Sequence, residues 1–391
     1  MKRKLASLLL VCVIIASLGL TGCGGSSTAA ATAGGSDTIK VGWYGSLTGD
    51  QAVWGTCEFN GAKLVIDEIN EKGGVLGKKL ELIGYDTKGD SQEAVNVVRR
   101  LTGQDKVVAV LGTNSSGPAI AVTPVLEQAK VPGICTVATN PKVTVIDGKV
   151  NPYQFRVCFI DPYQGGVAAG FAIDVLKART AAILYDVGDD YSQGLTQFFE
   201  EAFAQKGGKI VAKEASKSGD VDFRPQLSKI KEANPDVIFM PYVYKEAALS
   251  SNQARELGIT ATFLGGDGWP SDQLISMAKD AVEGSYVVNH LDFNDPVVQD
   301  FKNKYTEKYN KAPEINAFLV HDAVLMLVDA MNRAGEADPV KIAQALETTD
   351  IEGLTGKIKI GKNTHNPEAK EAAIIKIVDG GYVFQQRYSL Q

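Results

Sequence analysis

Residues 38–86, TIKVGWYGSLTGDQAVWGTCEFNGAKLVIDEINEKGGVLGKKLELIGYD, decide the fold class of this chain. Ile39 to Trp43 is a short, mostly apolar run of the kind that forms a buried strand. Phe59, Ala62, Val65, Ile66 and Ile69 then recur at helical spacing, while Lys63, Asp67, Glu68 and Glu71 fall largely off that face. Lys72-Gly73-Gly74 ends the pattern as a C-terminal cap does, and Leu80 to Tyr85 returns to strand character. Strand, helix and strand in about 45 residues is a parallel unit with a right-handed crossover.

The same alternation continues outward. Val107–Leu111, Ala181–Tyr185, Val237–Met240 and Thr262–Leu264 read as further buried parallel strands. Phe198, Phe199, Ala202 and Phe203 form one amphipathic face between them, and Leu249, Ala254 and Leu257 another. Lys206-Gly207-Gly208 and Leu257-Gly258 close those helices. Two stretches, about 38–159 and 160–289, share one order of elements, which predicts an α/β protein with two lobes and a cleft at strand ends.

The N-terminus predicts where the protein works. Lys2, Arg3 and Lys4 precede an apolar run from Leu5 to Leu20, the pattern of a cleaved secretion signal. The run ends in Leu20-Thr21-Gly22-Cys23, which resembles a bacterial lipobox; that resemblance implies a diacylated Cys23 as the first mature residue. Residues 24–37, small and polar, then serve as a flexible tether. The expectation is an extracytoplasmic protein held to the cell membrane by lipid. No later apolar run reads as long enough to cross a bilayer, which needs ~20 residues.

With 40 Lys and Arg against 46 Asp and Glu the formal net charge is −6, and loss of residues 1–22 removes three more cations. That balance argues against nucleic acid as a partner. About 350 residues beyond the tether exceed one ordinary core, so two domains are expected. Cys57, Cys135 and Cys158 have neither CxxC spacing nor neighbouring histidines, and read as buried thiols, with a disulfide between two of them left open. His290, His321 and His365 are far apart, and no GxGxxG follows the first strand. Walker, GxSxG and HExxH motifs are also missing from the sequence. No enzyme, metal or cofactor is expected.

Taken in order, Ile39-Lys40-Val41-Gly42, Leu47-Thr48-Gly49, Trp54-Gly55, Gly61-Ala62, Ile69–Gly77, Phe155-Arg156, Gln164-Gly165, Tyr191–Gly194, Gln253–Gly258 and Gly265–Gly268 resemble the branched-chain amino acid (Leu/Ile/Val)-binding proteins of periplasmic binding protein type I. The resemblance implies two Rossmann-like lobes joined by three crossovers, near Phe159–Ile160, Asn289–Leu291 and Ala373–Ile374. The lobes would comprise 38–159 with 291–373, and 160–290 with 374–391. It also implies a monomer that delivers its ligand to an ABC permease and ATPase. A ligand-sensing receptor is the competing role, and amides, urea or aromatic acids the competing ligands.

Chemistry narrows the site. After the Val107–Leu111 strand, Gly112 to Gly117 reads as a loop and Pro118 onward as a helix, which sets N–H groups and hydroxyls where a carboxylate is favoured. By resemblance Ser116, Val137 and Thr139 contact the ligand carboxylate; the alternative for Ser115 and Ser116 is simple helix capping. Asp267, in a Gly-rich turn after the Thr262–Leu264 strand, matches the ammonium acceptor, or else supports an Asx turn. Tyr191 matches an aromatic beside it. Trp54 matches the wall around the ligand side chain, unless it simply packs in the core. A family tyrosine aligns with Val243, a departure from the pattern; Tyr242 and Tyr244, which flank it, and Trp269 are the candidates for its place, none of them required to take it, and Trp269 has the alternative of packing beneath its loop. Together these predict capture of a neutral apolar α-amino acid.

Overall fold

The computed structural model describes residues 38–389. Cys23, the signal and the tether lie outside those residues. The first sheet is built from β1 (Thr38–Gly45), β2 (Lys79–Asp86), β3 (Ala109–Leu111), β4 (Gly133–Cys135) and, after a small hairpin of β5 (Val145–Ile146) and β6 (Lys149–Val150), β7 (Gln154–Arg156). Helices α1 (Ala52–Glu71), α2 (Ser91–Arg100) and α3 (Ser116–Ala129) connect them. After α4 (Asp161–Asp174), the second sheet takes β8 (Thr180–Asp186), β9 (Lys209–Ser216), β10 (Val237–Met240), β11 (Thr262–Gly265) and β12 (Tyr286–Asn289). Its helices are α5 (Asp190–Gln205), α6 (Arg224–Ala233), α7 (Tyr244–Glu256) and α8 (Asp272–Ala278).

The sheets run β2-β1-β3-β4-β7 and β9-β8-β10-β11-β12, so each half lays its own five strands down in the order 2-1-3-4-5, all parallel. In such a sheet the strand order reverses beside the first strand, and ligands sit beyond the carboxyl ends of the strands there. The chain then returns to the first half as α9 (Gln299–Tyr309), α10 (Ile315–Ala334), α11 (Pro339–Leu346) and the hairpin β13 (Asp350–Gly353) and β14 (Gly356–Lys359). It ends in the second sheet with antiparallel β15 (Ala372–Val378) and β16 (Gly381–Tyr388). Because Ala372 already pairs with Tyr388, the third passage between sheets lies before Ala372, slightly earlier than Ala373–Ile374.

One expectation is corrected. α10 is long and apolar enough to span a membrane, which the sequence reading had placed in no segment after the signal. It is a core helix instead. Phe318, Leu319, Val320, Ala323 and Leu327 are buried in the first-half core with Trp43, Ala62 and Val65. Gly61 lets α1 and α10 meet closely, since a Cβ there would lie 3.0 Å from the Ala317 backbone.

Cys57, Cys135 and Cys158 are free and buried, so no disulfide joins them. Burial pushes the Cys57 thiol up to about 12 and Cys135 up to about 11, which keeps both protonated and inert. Glu58 on α1 is also fully buried, accepting from Trp43 Nε1 at 3.1 Å and Thr136 Oγ1 at 2.8 Å. Burial lifts its carboxyl from 4.5 to about 7 despite those two donors. A raised carboxyl favours folding below its unfolded value and loses that advantage as pH rises through its folded value. Glu58→Gln, isosteric with the protonated form, should therefore gain melting temperature relative to wild type as pH climbs from about 4.5 to 7, then level off. A difference independent of pH in thermal melts would refute this.

Candidate ligand-binding cleft

A cavity lies between the carboxyl ends of the two sheets, with about 440 Å³ of empty space that is partly open to solvent. It opens into an outer cleft of about 1010 Å³ through shared residues Gln51, Ser115, Asp189 and Val243. Its residues come from the loops and helix starts after β1, β3 and β4 on one side and after β8, β10 and β11 on the other, with two from the start of α10.

One end is built by α3, which begins at Ser116, two residues before Pro118. Ser115 is the extended N-cap, and its side chain makes no capping hydrogen bond. Ser116 is buried against the cavity, its Oγ accepting from the Asn140 backbone N–H at 3.4 Å. The capping alternative is therefore not what these hydroxyls do. No acidic residue sits in the first turn of α3, so its N–H groups and positive dipole end favour an anion; the carboxylate that approaches it, Asp190, comes from the other half and stands beside Gly117. Val137 and Ala138 line the same end. Their loop is pinned by Arg156, fully buried, which donates from Nη1 to Ala138 O at 2.9 Å and from Nη2 to Asn140 O at 2.8 Å. Thr139 lies between those two carbonyls, buried, just behind the lining, and its own carbonyl accepts from Asp161 N.

Asp267 faces the cavity from the other half and is 3% exposed. Its Oδ1 accepts from Gln164 Nε2 at 2.9 Å and its Oδ2 lies 2.9 Å from His290 Nε2. Burial holds His290 below its ordinary value although Asp267 pulls the other way. A neutral ring can still donate from Nε2, and it then orients the carboxylate without cancelling its charge. The imidazole is itself fixed by stacking on Phe159, centroids 3.7 Å apart. Tyr191 lines the cavity beside Asp267, and its hydroxyl accepts from Gly268 N at 3.3 Å. That approach requires glycine at 266, where a Cβ would stand 2.4 Å from the Tyr191 oxygen. The Asp267 side chain thus accepts from side chains rather than supporting its own turn.

The wall holds Trp54, edge-on to Tyr244 at 5.0 Å between ring centroids, together with Val243 and Ile315. Trp54, from α1, packs with the core residues of the second half and also lines the cavity. Tyr242 and Tyr244 line the outer cleft, with the Tyr242 hydroxyl paired to Ser216 Oγ at 2.7 Å and Tyr244 donating to Asp50 O. Trp269 is the correction. It is fully buried, donates from Nε1 to Met240 O at 2.9 Å, and fills the space beneath Gly265, so it supports the Asp267 loop from below and does not line the cavity.

Several contributors are not marked as site residues by the sequence, although Gln164 belongs to the motifs that carry the family resemblance. His290 and Gln164 reach Asp267 from 23 and 103 residues away. Gln51, Asn114, Ile315 and Asn316 line the wall. Asp161, at the start of α4, is fully buried, and burial together with the Asp267 charge drives its carboxyl well above the usual range. The halves meet at three further points around the cleft: Asn140 Nδ2 to Asp190 O at 2.8 Å, Lys245 to Asp50 at 2.6 Å, and Ser271 Oγ to Glu314 at 3.3 Å.

Two matched doubly wound halves, with a cleft that sets an anion opposite a helix N-terminus, define a two-lobed solute-binding protein. Residues 38–381 match the periplasmic binding protein family model, and the chain belongs to that family. It is 32% identical over 327 residues to a leucine-, isoleucine-, valine-, threonine- and alanine-binding protein of Pseudomonas aeruginosa, covering 82% of this chain and 85% of that one. A leucine-binding protein structure from Thermotoga maritima is 35% identical with a TM-score of 0.83, covering 90% of this chain and 99% of the other. A branched-chain amino acid transporter substrate-binding protein from Streptococcus pneumoniae, in complex with isoleucine, is 31% identical with a TM-score of 0.82 and the same coverage. These relatives are binding proteins, not enzymes.

Proposed function

We propose that this protein captures one neutral α-amino acid between its halves and delivers it to an ABC permease and ATPase. The observation that carries the reading is the polarity of a single cavity, with Ser116 and the α3 N-terminus at one end and Asp267 in the facing half. A carboxylate satisfies the first and an ammonium the second, through charge-assisted hydrogen bonds. Val137 and Thr139 complete the carboxylate end, and Tyr191 flanks the ammonium. The named relatives support leucine, isoleucine and valine as the size class of the side chain, enclosed by Trp54 and Val243, with Tyr242 and Tyr244 forming the mouth. The lobes, 38–159 with 291–371 and 160–290 with the chain from 372 onward, close as hinged bodies on the ligand. Acylated Cys23 holds the protein to the cell membrane on its extracytoplasmic side, where it works as a monomer.

Calorimetric titration with the twenty amino acids, urea, short amides and benzoate tests this. Heat is expected from neutral amino acids alone; binding confined to ligands without an amine would overturn the proposal. Genes for a permease and ATPase beside this one are the expected neighbourhood, and a receptor gene in their place would favour the sensor role.

A further inference from the structure

The end of the cavity formed by α1 and α10 is more polar than an aliphatic side chain requires. Trp54 and Ile315 supply apolar surface there, but Gln51, Asn114 and Asn316 stand among them. Asn114 Nδ2 donates to Gln51 Oε1 at 2.8 Å, so that pair is satisfied internally. Asn316 and Trp54 are not. Asn316 is 1% exposed and Trp54 3%, yet among the described residues neither amide atom of Asn316 nor the Trp54 Nε1 meets hydrogen-bond geometry. The Asn316 N–H nonetheless approaches Glu58 and helps hold its carboxyl down, with Oε1 already taken by Trp43 and Thr136, so the Asn316 Oδ1 and the Trp54 Nε1 are the groups left for a ligand. Buried polar groups are paired in folded proteins, and leaving one unpaired on ligand binding is costly.

We propose that these groups read a polar atom on the ligand, and that the preferred ligand carries a side-chain hydroxyl or carboxamide. The inference rests on the reading of the cleft as an α-amino acid site and specifies its side chain. Trp54 Nε1 is a donor and Asn316 Oδ1 an acceptor. A hydroxyl or a primary amide answers both kinds. A carboxylate only accepts and would face Glu58; an ammonium only donates and would leave the indole N–H unpaired. Threonine matches valine in shape, and asparagine is close to leucine, so the proposal turns on one polar group at constant size. A site built to hydrogen-bond a ligand group rejects the isostere that lacks it far more strongly than an apolar pocket rejects an added hydroxyl.

Titration of the purified chain with threonine against valine, and with asparagine against leucine, decides it. In at least one pair the polar member should bind tenfold or more tighter, the threonine arm identifying a hydroxyl and the asparagine arm a carboxamide. Trp54→Phe and Asn316→Leu should each shrink that ratio toward one. Valine and leucine binding as tightly as their polar partners, or tighter, would overturn the proposal and leave the amino-acid reading intact. Failure of all twenty amino acids to bind would overturn both.

Discussion

Asp267→Asn should weaken amino-acid binding by about 2–5 kcal/mol, roughly thirty- to several-thousand-fold in Kd. The carboxylate is nearly inaccessible and already held by Gln164 and His290, so its orientation costs nothing further when a ligand arrives. Asparagine keeps the shape and one acceptor but loses the charge that an ammonium needs in a site screened from water. Its effect on folding should be small by comparison. Titration beside thermal melting separates the two, and a variant within about threefold of wild-type affinity would remove Asp267 from the site.

Asp322→Ala should cost about 3–5 kcal/mol of stability and lower the melting temperature by roughly 5–15 °C. Asp322 is fully buried on α10 and accepts from Leu354 N at 2.7 Å, Thr355 N at 2.9 Å, Thr355 Oγ1 at 2.6 Å and His321 Nδ1 at 3.0 Å. Thr355 in turn accepts from buried Lys370 at 2.9 Å, just before the chain crosses to β15. Burial pushes the Asp322 carboxyl up, but His321, Lys370 and Thr355 outweigh it and hold the group below the usual carboxylate range. Its contribution is therefore present above the unfolded value of 3.8 and is lost as pH falls through the lower folded value. Alanine takes the acceptor from all four donors and leaves Lys370 without its counter-charge; burial already brings that lysine down to about 8. Unchanged melting would contradict the account. Ligand affinity measured well below the melting temperature should hold, since Asp322 lies outside the cleft.

What the sequence disclosed followed the range of the interactions involved. Val107–Leu111, Thr262–Leu264 and the glycines after Lys72 and Lys206 declare strands and caps locally, so the doubled α/β plan was legible. Ser116 and Asp267 were legible because each stands on a strand-to-helix loop, where that plan puts ligands. His290 was not, since its role exists only once β12 lies beside β11. Asp161 stands in the first turn of α4, an ordinary place for an acid, and only burial makes it unusual. Trp269 follows Asp267 in a loop whose side chains point both ways, and periodicity cannot say which faces ligand. α10 carries scattered polar residues, Asn316, His321 and Asp322, that hid how apolar its length is. The same Asn316 is what gives the cleft wall its polarity.

The central claim is that one ligand is read at both charged ends. The most direct measurement compares, by titration calorimetry, the tightest-binding amino acid with its des-amino acid and with its carboxamide. Loss of the amine removes the partner of Asp267, and amidation removes the charge that faces Ser116 and the α3 N-terminus. The account predicts that each analogue binds at least a hundredfold more weakly than the amino acid. A des-amino acid that binds as well as the amino acid would contradict it.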